Sequence, residues 1–204
     1  MKTLLSRRGL GWIGLGVILL AAGPAAWGAG SHFMDVGARW HTESSAREDL
    51  PFRDGDVSYV VGYEYFENNA YWQLALGIAP EVTAQDVPFA GTTNPISGKP
   101  ETFKDNTVDL VLTPQINLLF VDKAFFGGLG GYWSYVMRDG KRMDGTSASS
   151  EWSDFYGQFI LGFSLPLGGF KLDICSYYPF ADFDPFSDFE FSELEYGVLL
   201  KYRF

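Results

Sequence analysis

Apolar side chains alternate with small or polar ones along most of the chain after residue 30, in stretches of about ten residues. In residues 57–65, valine and tyrosine occupy every odd position, while Ser58, Gly62 and Glu64 fall among the even ones. A period of two indicates β-strands, because successive side chains of a strand point to opposite faces. The pattern predicts eight strands, the fifth being the weakest because glycine occupies both of its faces: residues 34–41, 57–65, 72–79, 107–118, 125–135, 154–165, 170–178 and 193–204.

The segments that connect these strands alternate between short and long. Residues 67–70, 121–124 and 166–169 are short turns, and the long polar loops are residues 42–56, 80–106, 137–153 and 179–192. With both chain ends on one side, all short turns lie on that side and all long loops on the other. An even strand number with this alternation is typical of transmembrane β-barrels. We therefore predict an all-β fold, an eight-stranded antiparallel up-and-down barrel that spans a membrane.

The bulky apolar set is predicted to face lipid, because eight strands of Tyr, Trp, Phe and Leu would overfill a narrow interior. The small and polar set then lines the lumen. Aromatic positions agree with this orientation, since they concentrate near both ends of the strands, as expected at two lipid–water interfaces. The predicted belt at the short-turn end contains Tyr63, Tyr65, Trp72, Phe120, Phe125, Phe170, Tyr202 and Phe204; that at the loop end contains Trp40, Tyr59, Trp133, Tyr135, Phe155, Tyr178 and Tyr196.

The last strand, LEYGVLLKYRF, ends on an aromatic residue and has alternate apolar positions before it. It resembles the C-terminal assembly signal of outer-membrane proteins, which would consist here of Tyr196, Val198, Leu200, Tyr202 and Phe204. The whole mature chain resembles the small eight-stranded barrels grouped around the OmpA transmembrane domain and OmpX. This resemblance implies location in the bacterial outer membrane, contact with outer-membrane lipid and lipopolysaccharide, and insertion by the outer-membrane assembly machinery.

The first 28 residues are predicted to be a secretory signal peptide, which leaves residues 29–204 as the barrel domain. Lys2, Arg7 and Arg8 precede a short apolar stretch that ends in small residues. An uncleaved membrane anchor is the alternative.

The mature chain is strongly acidic. Removing the three cations of the signal peptide changes the net charge from −10 to −13, and this negative charge disfavours nucleic acid as a partner. Cys175 and the two histidines form no disulfide or metal cluster in this pattern, so we expect no cofactor, and we expect a monomer.

Charged residues also occur on the set predicted to face the lumen. Both signs are present, so ion pairs across the interior are expected to offset the cost of burying charge. We interpret them as a plug that holds a narrow barrel shut; a gated path for small solutes or ions is the alternative. The predicted lumen charges are Arg39, Glu64, Asp109, Lys171, Asp173, Glu193, Glu195, Lys201 and Arg203.

The fourth long loop has phenylalanine at every third position from Phe180 to Phe189, interleaved with carboxylates. Hard divalent cations prefer oxygen ligands, so the loop is a possible cation site, although its spacing matches no EF-hand pattern. A basic partner or a merely solvated acidic loop are the alternatives. The possible cation ligands are Asp182, Asp184, Asp188 and Glu190.

Some small barrels modify lipid A, and the lipid A deacylases use His, Ser and Glu near the outer rim. His41, Glu43 and Ser44 lie close together in this sequence, and a base beside a hydroxyl is what acyl transfer needs. Their spacing does not reproduce the His-x-Ser order of that family. We therefore expect no enzyme and favour a structural or surface-interaction role carried by the four loops. A narrow channel is the second hypothesis, and a lipid A-modifying acyl hydrolase or transferase is the third.

Overall fold

The computed structural model describes residues 30–42, 50–82, 88–93, 100–142, 150–181 and 190–204. The predicted signal peptide, residues 1–28, lies outside these ranges and stays a prediction. Within them, no helix is long and apolar enough to cross a membrane.

The strands form one antiparallel sheet that closes on itself. The strands are β1 (Ser31–Trp40), β2 (Val57–Glu67), β3 (Ala70–Val82), β4 (Pro88–Thr93), β5 (Pro100–Asp122), β6 (Phe125–Tyr132), β7 (Tyr135–Arg142), β8 (Glu151–Trp152), β9 (Tyr156–Leu167), β10 (Phe170–Phe180) and β11 (Glu195–Arg203). Neighbouring strands pair in the order β3-β2-β1-β11-β10-β9-β6-β5, and a further pairing of β3 with β5 completes the ring. This confirms the predicted eight-stranded barrel.

The fifth barrel strand, which the sequence predicts least clearly, is interrupted. It consists of β6 and β7, separated by Trp133 and Ser134, and both pieces pair with β5. Glycine is required on the inward face of β6, because a Cβ added at Gly128 would overlap the backbone of Leu118 and Leu119 on the neighbouring strand. Close approach of the two backbones therefore explains the glycine at position 128.

Three tight turns join the barrel strands at the short-turn end. The β2–β3 turn consists of Asn68 and Asn69, both with positive φ, as two-residue hairpin loops require. Lys123 and Gly168 adopt positive φ in the β5–β6 and β9–β10 turns. All three predicted short turns are present at this end.

At the opposite end, the strands extend beyond the boundaries that the alternation predicts. Residues 80–106 and 137–153 are predicted as loops, but β3 continues to Val82, β5 starts at Pro100 and β7 ends at Arg142. An apolar core of the kind found in soluble proteins lies where this extension begins and supports strand pairing there. Its buried members are Leu50, Phe52, Ala79, Val82, Val108, Val111, Tyr132, Val136 and Tyr156.

The outer wall is apolar, as predicted. Large apolar side chains with more than a third of their surface exposed surround the barrel, which is stable only if lipid covers them. The chain is therefore an outer-membrane-type barrel. Both aromatic belts contribute to this exposed set, but Tyr178 departs from the prediction because it is buried. The exposed belt members are Trp72, Phe120, Phe125, Phe170, Tyr202 and Phe204 at the short-turn end and Trp40, Tyr59, Trp133, Phe155 and Tyr196 at the loop end.

The lumen holds larger side chains than a set of small and polar residues would provide. Phe126 and Tyr177 are buried inside the barrel, and each lies against a glycine of an adjacent strand. A Cβ added at Gly162 would collide with the Phe126 ring, and one at Gly197 with Tyr177. Pairing large residues with glycine lets a narrow barrel enclose aromatics.

Candidate functional site

Lys201 is the centre of a buried ion cluster in the half of the lumen nearer the short turns. Its ammonium group lies 2.6 Å from Glu64 Oε1 and 2.5 Å from Asp173 Oδ2. Ser164 donates a 2.6 Å hydrogen bond to the other Asp173 oxygen. We call these four residues the Lys201 cluster. They come from β2, β9, β10 and β11, so the cluster links β2 to three strands on the other side of β1.

Amide side chains extend this cluster across the lumen. Gln73 donates hydrogen bonds to Asp35 (3.0 Å) and to Glu64 (2.6 Å), and Asn117 donates one to Gln73 (2.6 Å). Gln158 in turn donates a 2.8 Å hydrogen bond to Asn117. Amides can donate and accept at once, so this chain of bonds connects the two halves of the lumen.

Arg39 is the centre of a second cluster, nearer the loop end. Its guanidinium lies 2.5 Å from Glu195 and donates a 2.9 Å hydrogen bond to Gln158 and a longer one, 3.4 Å, to Gln115. The Tyr177 ring lies below it, with its centroid 4.1 Å from the guanidinium carbon. Arg39, Glu195, Gln158, Gln115 and Tyr177 form the Arg39 cluster.

The two clusters seal the interior. Glu64, Gln158 and Glu195 have 0 % of their surface accessible to solvent. Each has hydrogen-bond or ion-pair partners on other strands, which offset much of the cost of burial. Glu64 Oε2 and Arg39 Nη2 are buried without a hydrogen-bond partner among the described residues. This geometry favours a plug rather than a water-filled path.

Five of the predicted lumen charges, Arg39, Glu64, Asp173, Glu195 and Lys201, are buried in these clusters. Lys171 is half-buried toward the short-turn end and donates a 2.9 Å hydrogen bond to the Tyr71 hydroxyl.

The other three predicted lumen charges lie elsewhere. Asp109 is exposed, because the β5–β7 register shifts between Val108 and Leu110 and turns both Val108 and Val111 inward instead. Arg203 lies opposite Phe33 in the β1–β11 pairing, at the short-turn end of the barrel, and is exposed. Glu193 belongs to a 3-10 turn, Phe191–Glu193, before β11.

Sequence reasoning missed Asp35 and the amide residues of the network. Asp35 has the same parity in β1 as Arg39, so the alternation itself could have identified it. Gln73, Gln115, Asn117 and Gln158 are neutral and therefore do not stand out in a search for charges. They share the inward parity of their strands, which was the signal available in the sequence, and the structure shows that all four are buried.

A base and a hydroxyl meet at the loop end of the lumen. His41 Nε2 lies 2.6 Å from Ser58 Oγ, and His41 Nδ1 lies 3.1 Å from Glu195 Oε2. The Phe52 ring stacks on the His41 ring, with 3.7 Å between centroids and 4° between planes. All of these residues are buried. The arrangement contains the residue types of an acyl-transfer triad, held beneath an aromatic cap.

Comparison with known proteins finds likeness of shape only. No family model matches the chain, and no curated protein does. Ten chains of solved structures resemble it. They include two of Ail, the attachment invasion locus protein of Yersinia pestis, one of them in complex with the heparin analogue sucrose octasulfate. The complex has 12% sequence identity and a TM-score of 0.46, and the match covers 86% of this chain and 99% of the Ail chain. The second has 14% identity and a TM-score of 0.42, covering 86% and 97%.

The remaining predicted site residues are described only in part. Glu43 and Ser44, the predicted partners of His41, lie outside the described residues, as do Asp182, Asp184 and Asp188 of the possible cation loop. Glu190 is exposed, and no group of three or more potential metal ligands occurs in the part of the chain that the structure describes.

The residues of the predicted assembly signal lie along the outward face of β11, with Phe204 directly after its end. Tyr196, Leu200, Tyr202 and Phe204 are exposed, and Val198 is half-buried. Recognition by the assembly machinery stays a prediction.

Proposed function

We propose that this chain is a surface-interaction protein of the outer membrane, in which the barrel is a closed scaffold and the long loops bind a partner. The observation that carries this proposal is the sealed lumen. With the interior occupied by the Lys201 and Arg39 clusters, the solvent-facing surface available to a partner is that of the loops and of the extension that supports them. Loops on a rigid scaffold commonly carry binding function.

The charge of the loops favours a basic partner. Residues 42–56, 80–106, 137–153 and 179–192 together contain 16 acidic and 7 basic side chains, a net charge of −9. Such a surface attracts cations and repels anions within about a Debye length, ~8 Å at physiological salt. A sulfated polysaccharide is therefore a poor ligand for this chain, whereas a basic protein surface, or a cation that bridges to lipopolysaccharide phosphate, is a good one.

This proposal predicts opposite behaviour toward polycations and polyanions. Full-length mature chain folded into lipid vesicles is expected to bind poly-lysine in a salt-sensitive manner and not to bind heparin, as measured by surface plasmon resonance. Neutralising Asp182 and Asp184 with asparagine should weaken poly-lysine binding by about threefold to tenfold. Glu67→Gln with Asp122→Asn removes the same charge from the short turns and should leave binding unchanged. Heparin binding, or equal loss in both variants, would contradict the proposal.

Contacts with lipid and with the assembly machinery complete this proposed role. The exposed apolar wall supports contact with outer-membrane lipid and lipopolysaccharide. The alternating exposed aromatics of β11 support recognition of the last strand during insertion.

The contact between His41 and Ser58 favours one second candidate, hydrolysis or transfer of an acyl group at the outer rim. In this candidate, Ser58 would be the nucleophile, His41 the base and Glu195 the group that orients the imidazole. Phe52 stacks on His41 and the site is buried, so this activity requires displacement of Phe52 by substrate.

The test of this candidate is covalent labelling with a fluorophosphonate, combined with the mass of lipid A after incubation with lipopolysaccharide. An acyl hydrolase would be labelled at Ser58, would lose the label in Ser58→Ala and His41→Ala, and would keep it in the matched variant Ser134→Ala. An unlabelled native protein and an unchanged lipid A mass would retire the candidate and leave the binding function standing.

A further inference from the structure

A groove of about 540 Å³ crosses the outer wall of the barrel over strands β6, β9 and β10. Its lining is almost wholly apolar, and it opens on the side that lipid covers. The residues used below are Gly127, Leu129, Phe159, Leu161, Ser176, Tyr178, Phe191 and Leu194.

The floor of the groove results from small residues in one cross-strand row. Gly127 pairs with Leu161, and Leu161 pairs with Ser176, so a single leucine stands between two positions that have almost no side chain. The next row toward the loops consists of Leu129, Phe159 and Tyr178. The row of large side chains stands higher than the row that contains Gly127 and Ser176. The difference in height produces a linear depression that crosses β6, β9 and β10.

The loop end of the groove is bounded by the segment just before β11. The 3-10 turn Phe191–Glu193 and the adjacent Leu194 bring two apolar side chains to the groove. Phe191 is 79 % exposed, whereas Tyr178, which has outward parity, is only 8 % exposed. This exposure of Phe191 next to the buried Tyr178 is expected if the 3-10 turn lies within the lipid layer, because hydrocarbon stabilises an exposed aromatic ring. This end of the groove therefore lies in the outer leaflet.

We propose that the groove binds one acyl chain of an outer-leaflet lipid. The chemistry of the lining excludes a polar ligand, and the surrounding surface is already the lipid-facing wall. The volume lies within the usual range for sites that enclose a small ligand, about 300–1,000 Å³, and suits a single flexible hydrocarbon chain. A second barrel would need a contact of roughly 800 Å² on each partner, which one narrow depression does not provide.

The test uses the mature chain folded into phosphatidylethanolamine vesicles that contain a phospholipid with a diazirine on one acyl chain. After irradiation, peptides containing Leu161 and Ser176 are expected to carry about fivefold more cross-linked lipid than peptides from β1, which is equally lipid-facing. A parallel experiment with lipopolysaccharide added as competitor distinguishes the two lipid sources: strong competition identifies lipopolysaccharide as the preferred one, and weak competition identifies phospholipid.

Two variants that fill the groove provide the decisive comparison. Ser176→Phe should abolish the enrichment, and Gly127→Leu does the same from the neighbouring strand if the first variant does not fold. Val36→Phe places the same ring at an exposed position on β1 and should keep the enrichment. Uniform cross-linking over all outward residues would overturn the proposal, as would barrel-to-barrel cross-links in the groove, which would identify a second copy as the occupant. Neither result affects the loop-binding proposal, whose test does not involve the wall.

Discussion

Replacing Lys201 with methionine is expected to lower the free energy of unfolding of the barrel by about 3–5 kcal/mol. The Lys201 ammonium is the cation that contacts both Glu64 and Asp173 in the sealed lumen. Methionine has nearly the same length, so little packing volume is lost, but two carboxylates then lie within a low-dielectric interior without their counter-charge. Urea titration of the protein folded into lipid vesicles measures the change.

Two further variants separate charge from packing. Lys171→Met makes the same substitution at a half-buried position whose ammonium bonds a tyrosine hydroxyl, and it should cost less than about 1.5 kcal/mol. Adding Glu64→Gln and Asp173→Asn to Lys201→Met should recover more than half of the lost stability, because both side chains are then neutral and need no counter-charge. If Lys201→Met costs no more than Lys171→Met, the Lys201 cluster does not stabilise the barrel as described.

The strands and the turns of this barrel could be predicted because both depend on local signals. The alternation in residues 57–65 specifies a strand and its two faces, whatever the partner strand is. Asn68 and Asn69 adopt the positive φ that a two-residue turn needs, and few other residues tolerate it. Strand number and closure then follow from the number of such segments and from the need to pair every backbone group in lipid.

The partners across the lumen could not be predicted, because closure rather than local sequence places them. Parity assigns Arg39 and Glu195 to the inward face, but their contact depends on the pairing of the first strand with the last. His41 is an example. Its nearness in sequence to Glu43 and Ser44 suggested these two residues as its partners, whereas the folded barrel places Ser58 and Glu195 beside its imidazole ring.

Asp109 shows a second limit of parity. One register shift between β5 and β7 makes Val108 and Val111 both inward and leaves Asp109 exposed. A bulge of this kind depends on how two strands pair, and the alternation of either strand alone does not reveal it. Face assignments are therefore most secure in the middle of the barrel and weaken where strands leave the membrane.

Replacing Ile116 with arginine is expected to lower the free energy of unfolding by about 2–4 kcal/mol, although the side chain is on the surface. Ile116 lies on the outer wall opposite Leu74, four residues from the belt residue Phe120, and 47 % of it is exposed. In a soluble protein, an exposed isoleucine changed to arginine has an effect within about 0.5 kcal/mol. Near the middle of a bilayer, the guanidinium must leave water or deform the lipid around it.

The size of this effect should depend on depth. Tyr59, 59 % exposed, also lies on the outer wall, but in the aromatic belt at the loop end, where arginine can reach water. Tyr59→Arg should therefore lower the free energy of unfolding by only about 0–1 kcal/mol.

Both variants are compared by urea titration in the same vesicles, after gel mobility has shown that each one folds. A large loss at position 116 with a small loss at 59 is the signature of a bilayer, since no aqueous environment produces a penalty that varies with height along a barrel. Equal, small losses at the two positions would mean that water surrounds this wall, and the groove over β6, β9 and β10 would then have no acyl chain to bind.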